Sequence, residues 1–310
     1  MNELSRREFL KRIGVTAAVF GVVPLDACAA VPLNPLMDPP TAEDQNRLIA
    51  WVTTLHPPGS HSHRGSIASA AAAVGVMAIG TPYEAFTLEK YLKEGGNAAD
   101  TEPLALSLTK FDCVTLVESS LAVARIALAG KKPFWELFGR EVEKMRYRGG
   151  VRRGFDSRLH YFSEWISDGE KRGLVRNLGR ELGGTPDTRP LRFMTEHRAS
   201  YPGLKTDSVF NAISQMEKSL DSMPRYFIPT DRIDSIADRI QSGDILAFAT
   251  SIPGLDVSHA AFAYRDSDGV LRVLHAPLSG GSVEISKRTL SDYVTAIKRS
   301  TGILVARPVG

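Results

Sequence analysis

Cys113 is the residue whose type and setting most directly suggest chemistry. It follows Asp112 and opens a run in which apolar residues recur every three or four positions, namely Val114, Val117, Leu121, Ala124 and Leu128. This spacing predicts a helix with Cys113 in its first turn, where unpaired amides and the helix dipole favour an anion. Because the thiolate is the nucleophilic form of cysteine, Cys113 is a candidate nucleophile. The alternative is a small core residue, since free cysteines are often buried.

Two histidines far along the chain are candidates for the base that such a thiol needs. His259 stands at the head of an apolar strand, and His275 ends the next predicted strand after a turn at 268–269. Antiparallel strands joined by a short turn bring residues at these positions to the same end of the hairpin. We therefore expect the two rings to meet, with His275 fixing the tautomer of His259.

A second cluster of histidines suggests a different chemistry, a zinc site. His61 and His63 lie one residue apart in a proline-glycine loop, and His56 is nearby. No acidic or cysteine ligand accompanies them, and this pattern is more typical of a polar surface loop. The sequence also lacks a serine-nucleophile elbow, a phosphate loop and a dinucleotide fingerprint. We expect no metal and no cofactor.

The elements that position these residues change character along the chain. Helical periodicity dominates the first part, and short apolar or alternating runs punctuated by glycine turns dominate the last seventy residues. This order predicts an α+β fold, in which a helical N-terminal half packs on a C-terminal antiparallel sheet. The predicted helices are 42–55, 67–77, 113–128, 134–145, 159–166 and 209–216, and the predicted strands are 245–248, 260–264, 271–274, 283–285 and 303–306.

The N-terminus is predicted to be an export signal and not part of the fold. Arg6 and Arg7 have twin-arginine spacing, and an apolar stretch over 13–23 is too short to span a bilayer, which needs roughly 20 residues. Cys28 is either discarded with the signal or becomes a lipidated first residue. The predicted organisation is a signal over 1–29, a proline-rich tether over 30–40 and a single catalytic domain over 41–310. We expect the protein in the periplasm or cell envelope, with a membrane contact only through a lipid at Cys28.

Composition excludes several classes of protein. Hydrophobic residues make up 43% of the chain and charged residues 24%, which is typical of a globular protein and not of a disordered one. The net charge of +3 is too balanced to predict a nucleic-acid partner. A local cluster, Arg146, Arg148, Arg152, Arg153 and Arg158, is predicted to be a loop that faces an anionic cell-wall polymer.

The combined motifs resemble the Cys-His-His centre of NlpC-type, papain-like peptidoglycan hydrolases. They are Asp112-Cys113 at a helix start, Ser258-His259 opening a strand, 274–276 (LHA) closing the next, and 80–83 (GTPY) upstream. A closer similarity is to the N-acetylmuramoyl-L-alanine amidase-like branch, through 157–162 (SRLHYF), 252–259 (IPGLDVSH) and 289–293 (TLSDY). Two positions depart from the pattern: Val114 replaces a frequent serine, and Phe86 replaces a frequent glycine.

The resemblance implies a papain-like fold and a cysteine amidase. Cys113 would attack an amide carbonyl, His259 would move the proton, and His275 would orient His259. Residues expected to bind the oxyanion or substrate are Tyr83, Asp112, Ser258, Arg158 and His160, although the last two, placed on the 159–166 helix, could instead form its solvated face. The substrate implied is peptidoglycan or a muropeptide, cut between muramic acid and L-alanine. The alternatives are an endopeptidase that cuts between D-glutamate and diaminopimelate, and a non-catalytic wall-binding module.

Overall fold

The structure is a computed structural model that describes residues 37–57, 65–277 and 281–310. The predicted export signal, Cys28, and the histidines 61 and 63 lie outside the described residues. The last residues of the predicted tether contact the fold: the Asp38 amide donates to Leu104 O at 3.1 Å, and Trp135 Nε1 donates to Asp38 O at 2.8 Å.

Six of the helices in the described residues correspond to those predicted from the periodicity of the sequence, whereas four short helices, 90–93, 193–196, 233–236 and 290–296, were not predicted. The helices are α1 Ala42–Leu55, α2 Ile67–Met77, α3 Lys90–Lys93, α4 Cys113–Leu128, α5 Trp135–Arg146, α6 Phe162–Lys171, α7 Phe193–Glu196, α8 Asp207–Ser219, α9 Ile233–Ile236 and α10 Leu290–Ala296. Thr41 caps α1 in a reciprocal box with Asp44, which explains why this helix begins where it does.

The strands form a sheet in which every pair of named strands is antiparallel. They are β1 Val175–Asn177, β2 Thr185–Pro186, β3 Tyr226–Pro229, β4 Ile245–Thr250, β5 Val257–Arg265, β6 Leu271–His275, β7 Glu284–Ile285 and β8 Ser300–Pro308. Their order is β2-β3-β8-β4-β5-β6-β7, and β1 also pairs with β8. The predicted α+β class, with a helical first half and an antiparallel sheet, is confirmed. Strands β1 to β3 were not predicted.

The two faces of the central strands pack against different parts of the molecule. Ala247, Ala260 and Phe262 belong to one core cluster with α1, α2 and α4, whereas Phe248 and Ala261 belong to a second cluster with α10. Helix α4 is buried on almost every side and not only along the predicted stripe. The helix also contacts β5, the strand that carries His259.

One helix start was predicted wrongly. Helix α6 begins at Phe162, so Arg158 and His160 precede it. Arg158 instead pairs as an isolated antiparallel bridge with Tyr147, and the Leu159 amide donates to Arg146 O at 2.9 Å. These contacts hold the segment extended, which the apolar spacing of the sequence could not reveal.

Candidate active site

Asp112 fixes the position of Cys113 by capping α4. Its carboxylate accepts hydrogen bonds from the amides of Val114 at 3.0 Å and Thr115 at 2.7 Å. The Thr115 hydroxyl completes the box by accepting from the Asp112 amide at 2.8 Å. Cys113 is therefore the first residue of the helix, as predicted, and Asp112 acts here on the backbone of the protein.

The electrostatic environment of Cys113 differs from the predicted one. Burial, and next the Asp112 carboxylate, raise the pKa of the thiol to about 12, although the amides of Ala260, Cys113 and Val114 lie within reach and favour the anion. The helix dipole places a partial positive charge near the thiol, but the Asp112 carboxylate that caps the helix places a negative charge there, which disfavours the thiolate. Burial and the Asp112 carboxylate therefore oppose the anion that the helix N-terminus favours, and the thiol is protonated near pH 7.

The structure brings His259 and His275 together at the predicted end of the β5–β6 hairpin. His259 Nε2 lies 2.9 Å from His275 Nδ1, and the rings meet edge to face, with centroids 5.0 Å apart. Burial lowers the pKa of His259 to about 3, with a further contribution from His275, and burial lowers the pKa of His275 to about 4. Both imidazoles are therefore neutral at neutral pH, and the second ring nitrogen of His259 is left for another partner.

The thiol lies beside the backbone of the same strand that carries His259. The amide of Ala260, the residue after His259, is within hydrogen-bonding reach of the Cys113 sulfur. The N-terminus of α4 and the start of β5 thus meet at this point. The arrangement places a thiol and two neutral imidazoles in one region of the protein.

Tyr293 completes the surroundings of the imidazole pair. Its ring meets the His275 ring edge to face at 5.0 Å, and it also contacts Phe248, whose ring lies 5.4 Å from His259. Residue-by-residue reasoning gave Tyr293 no role. The signal that could have found it is the segment 289–293, which was noted only for its resemblance.

Asp256 is a second residue near the site that sequence reasoning missed. It is buried, and its carboxylate accepts from the Ser163 amide at 2.8 Å and from the Val257 amide at 2.7 Å. Burial raises the pKa of Asp256 despite these bonds. By joining the first turn of α6 to the first residue of β5, Asp256 fixes the strand on which His259 stands.

Tyr83 and Ser258 occupy different settings. Tyr83 is half-buried, its backbone forms a bridge with Phe111, and burial, followed by the nearby Cys113 and Asp112, raises its pKa to about 12. The phenol is therefore a protonated hydrogen-bond donor close to the thiol. Ser258 is exposed, and its hydroxyl lies 3.4 Å from the Phe248 carbonyl oxygen.

Arg158 and His160 do not form the solvated face of a helix. Arg158 is 4% exposed and pairs with Glu89 at 2.8 Å and with Glu102 at 3.4 Å. His160 Nε2 lies 2.8 Å from Phe155 O, and burial together with the Arg158 charge lowers its pKa well below the usual value. The charge of Arg158 is thus compensated inside the protein.

Three more arginines of this cluster also form ion pairs within the protein, so the predicted basic loop facing a polymer is wrong for all of its residues except Arg153. Their partners are Glu118 for Arg146 at 2.7 Å, Glu164 for Arg148 at 2.6 Å and Glu143 for Arg152 at 3.4 Å. Arg146 and Glu118 are 3% and 2% exposed. The arginines of this segment form ion pairs that hold α4, α5 and α6 together, and Arg153 is exposed.

In the described part of the chain, no group of three or more His, Cys, Asp and Glu side chains is arranged to hold a metal ion. No helix within the described ranges is long and apolar enough to cross a membrane.

Comparison with known protein families identifies the family of this chain. Residues 73–303 match the AmiA-like family, described as N-acetylmuramoyl-L-alanine amidase-like. The chain belongs to this family. The match covers α4, both histidine-bearing strands and α10, so it includes every element that builds the site. Among functionally curated proteins, none matches this amidase-like chain.

Solved structures share the fold of this AmiA-like protein. An N-acetylmuramoyl-L-alanine amidase from Bacteroides uniformis is 28% identical, with a TM-score of 0.71 over 79% of this chain and 100% of its own. A protein from Bacteroides fragilis described as a putative xylanase is 33% identical, with a TM-score of 0.68 over 76% of this chain and 99% of its own. A Legionella pneumophila protein at 18% identity, with a TM-score of 0.60 over 86% of this chain and 95% of its own, shares the fold alone.

Proposed function

We propose that this AmiA-like protein is a papain-like cysteine amidase, with residues 41–310 as its catalytic domain. It hydrolyses peptidoglycan or muropeptides at the bond between N-acetylmuramic acid and L-alanine, the bond that gives the family its name. The observation that carries the proposal is the 2.9 Å contact between His259 Nε2 and His275 Nδ1. The amide of Ala260, the residue after His259 on β5, lies within hydrogen-bonding reach of the Cys113 sulfur. A thiol, a base and a group that orients the base are what acyl transfer by cysteine requires.

The proposed reaction starts from a neutral thiol and a neutral imidazole. The Cys113 sulfur attacks the lactyl carbonyl carbon while His259 Nδ1 takes the thiol proton, and a tetrahedral oxyanion forms. His259 then returns this proton to the nitrogen of L-alanine, the C–N bond breaks, and a thioester remains. Water, deprotonated by His259, attacks the thioester and releases the muramic acid carboxylate and the thiol.

Two donors are available for the oxyanion. The Cys113 amide lies in the first turn of α4, and the protonated Tyr83 phenol lies near the thiol. Neutral donors aimed at the developing charge would stabilise the transition state more than the ground state. Loss of one such donor lowers kcat on the order of 100-fold in acyl-transfer enzymes.

Digestion of purified muropeptides followed by mass spectrometry tests the proposal. The wild-type protein is expected to release the intact stem peptide from the sugar, and Cys113→Ala is expected to release none. A matched control, Ser267→Ala, changes an exposed serine in the turn between β5 and β6 and keeps the thiol. Full hydrolysis by Cys113→Ala would reject the cysteine mechanism, and a folded wild type without hydrolysis would indicate a wall-binding module. A product cut between D-glutamate and diaminopimelate would replace the amidase with the endopeptidase.

We also propose export by the twin-arginine route to the periplasm or cell envelope, on the basis of Arg6 and Arg7. Replacing both arginines with lysine is expected to retain the full-length precursor in the cytoplasm. Mass spectrometry of the mature N-terminus decides between the two fates of Cys28, because a lipoprotein would begin at an acylated Cys28 and a cleaved protein would lack it.

A further inference from the structure

His275 has a buried nitrogen that the proposed mechanism leaves unused. The residue is 0% exposed, its Nδ1 faces His259, and its Nε2 makes no hydrogen bond with any described residue. A buried ring nitrogen without a partner is costly, and such groups call for an explanation.

The proposed function determines which nitrogen of His275 carries the proton. His259 must accept the thiol proton at Nδ1, so its resting proton is on Nε2 and is donated to His275 Nδ1. A neutral imidazole has one N–H, so the proton of His275 is on Nε2. The unpartnered atom is therefore a donor, and the group that would fit it is an acceptor.

Glu284 is an acceptor close to this donor. It lies directly opposite His275 in the pairing of β6 with β7, and its Oε1 is 3.8 Å from His275 Nε2. This separation exceeds a hydrogen bond, but the Glu284 side chain is 56% exposed and borders a cavity of about 410 Å³. A small rotation of the carboxylate, or one water molecule, would connect the two groups.

The charged and titratable groups around this point come from several elements. His259 faces His275 from β5, Tyr293 faces it from α10, and Lys287 and Arg288 line the cavity beside Glu284. Among the side chains that line this cavity, Glu284 supplies the carboxylate.

We infer that Glu284 is a positioning residue whose carboxylate accepts a hydrogen bond from His275 Nε2–H. The hydrogen-bonded chain of the proposed site then runs from Cys113 through His259 and His275 to Glu284. Glu284 holds His275 in the tautomer that can accept from His259. When His259 takes the thiol proton, the carboxylate also stabilises the positive charge that spreads over the imidazole pair. This inference rests on the proposed function, because the catalytic role of His259 sets the tautomer.

The test compares Glu284→Ala, Glu284→Gln and the control Glu196→Ala, which changes an exposed glutamate on α7. Steady-state kinetics on a defined muropeptide give kcat and KM, and ¹⁵N NMR of histidine-labelled protein reports the tautomer of His275. For Glu284→Ala we expect kcat to fall about tenfold or more with KM changed less than about twofold, and the Nε2–H signature to be lost. Glu284→Gln keeps an acceptor oxygen but removes the negative charge, so it is expected to retain the tautomer and to lose less of kcat than Glu284→Ala.

The two readouts separate this inference from the proposed function. Wild-type kcat and an unchanged tautomer in Glu284→Ala would overturn the role of Glu284, even if Cys113→Ala is inactive. If the wild-type protein hydrolyses no muropeptide, the NMR comparison still decides: an Nε2–H signature that is lost in Glu284→Ala and kept in Glu284→Gln supports the contact, and an unchanged one refutes it. An equal loss in Glu196→Ala would also refute it, since the effect would then be general.

Discussion

Acidification should destabilise the protein through His275 before that imidazole gains a proton in the folded state. Burial lowers the pKa of His275 from an ordinary value of 6.5 to about 4. Between these values the unfolded state binds a proton at this site and the folded state does not. The free energy of unfolding therefore rises with pH between about pH 4 and pH 6.5. The stability contributed by neutral His275 is lost as the pH falls through the same range.

The size of the effect follows from the shift. A pH of 4.5 lies two units below the pKa of the unfolded imidazole, and each unit lowers the free energy of unfolding by roughly 1.4 kcal/mol. Partial protonation of the folded ring reduces this total. His275 should thus account for about 2 kcal/mol of the stability lost between pH 7 and pH 4.5. Urea unfolding of wild type and His275→Gln at both pH values measures it, because glutamine does not titrate.

The variant is expected to lose about 2 kcal/mol less than the wild type over this range. Removing His275 also removes its contribution to the lowered pKa of His259, which shifts the result in the same direction. His197→Gln, at an exposed histidine after α7, is the matched control and should lose as much stability as the wild type. Equal losses in wild type and His275→Gln would show that the imidazole is not held neutral by burial.

Three further perturbations follow from the same structure. Because the Cys113 pKa is raised to about 12, alkylation by iodoacetamide should accelerate about tenfold per pH unit from about pH 6 to 9, and a rate independent of pH would contradict a neutral thiol. Phe86 has φ of 61° and is 66% exposed, so Phe86→Gly should relieve backbone strain and stabilise the fold by about 0.5 kcal/mol; a lower Tm would refute this. Glu118→Gln leaves Arg146 buried without a counter-charge and should cost about 3 kcal/mol in urea unfolding, of which Arg146→Met in the same chain should recover most.

The parts of the fold that the sequence predicted have strong local signals. Thr41 and Asp44 specify the start of α1, and apolar spacing specifies α4 to the residue. The parts that were missed have none. Strand β1, Val175–Asn177, is three residues long and exists because it pairs with β8 more than a hundred residues away. The extended segment before α6 depends in the same way on a distant partner, since Arg158 is buried among glutamates.

In the candidate site, too, the features with a local sequence signal were predicted, and the features that depend on distant parts of the chain were not. The hairpin turn at 268–269 determined that His259 and His275 would meet, and the structure has their nitrogens 2.9 Å apart. The charge state of Cys113 could not be obtained in this way. It depends on burial by β5 and on the orientation of the Asp112 carboxylate, which caps the helix and adds a negative charge next to the sulfur. A helix N-terminus predicts where an anion is favoured, but burial first and the capping carboxylate second determine that the Cys113 thiol is not that anion.

A neutral resting thiol changes how the proposed enzyme should be recognised. Slow alkylation at neutral pH would be expected of a wall-binding module, but it is equally expected of this site, so only hydrolysis by wild type and Cys113→Ala separates the two. It also fits the proposed location. The thiolate is the form that oxidants attack, and an exported cysteine meets oxidising conditions. Burial and Asp112 keep Cys113 protonated. In the proposed mechanism His259 removes this proton during attack, so the sulfur would become nucleophilic only when a carbonyl is bound and would be protected in its absence.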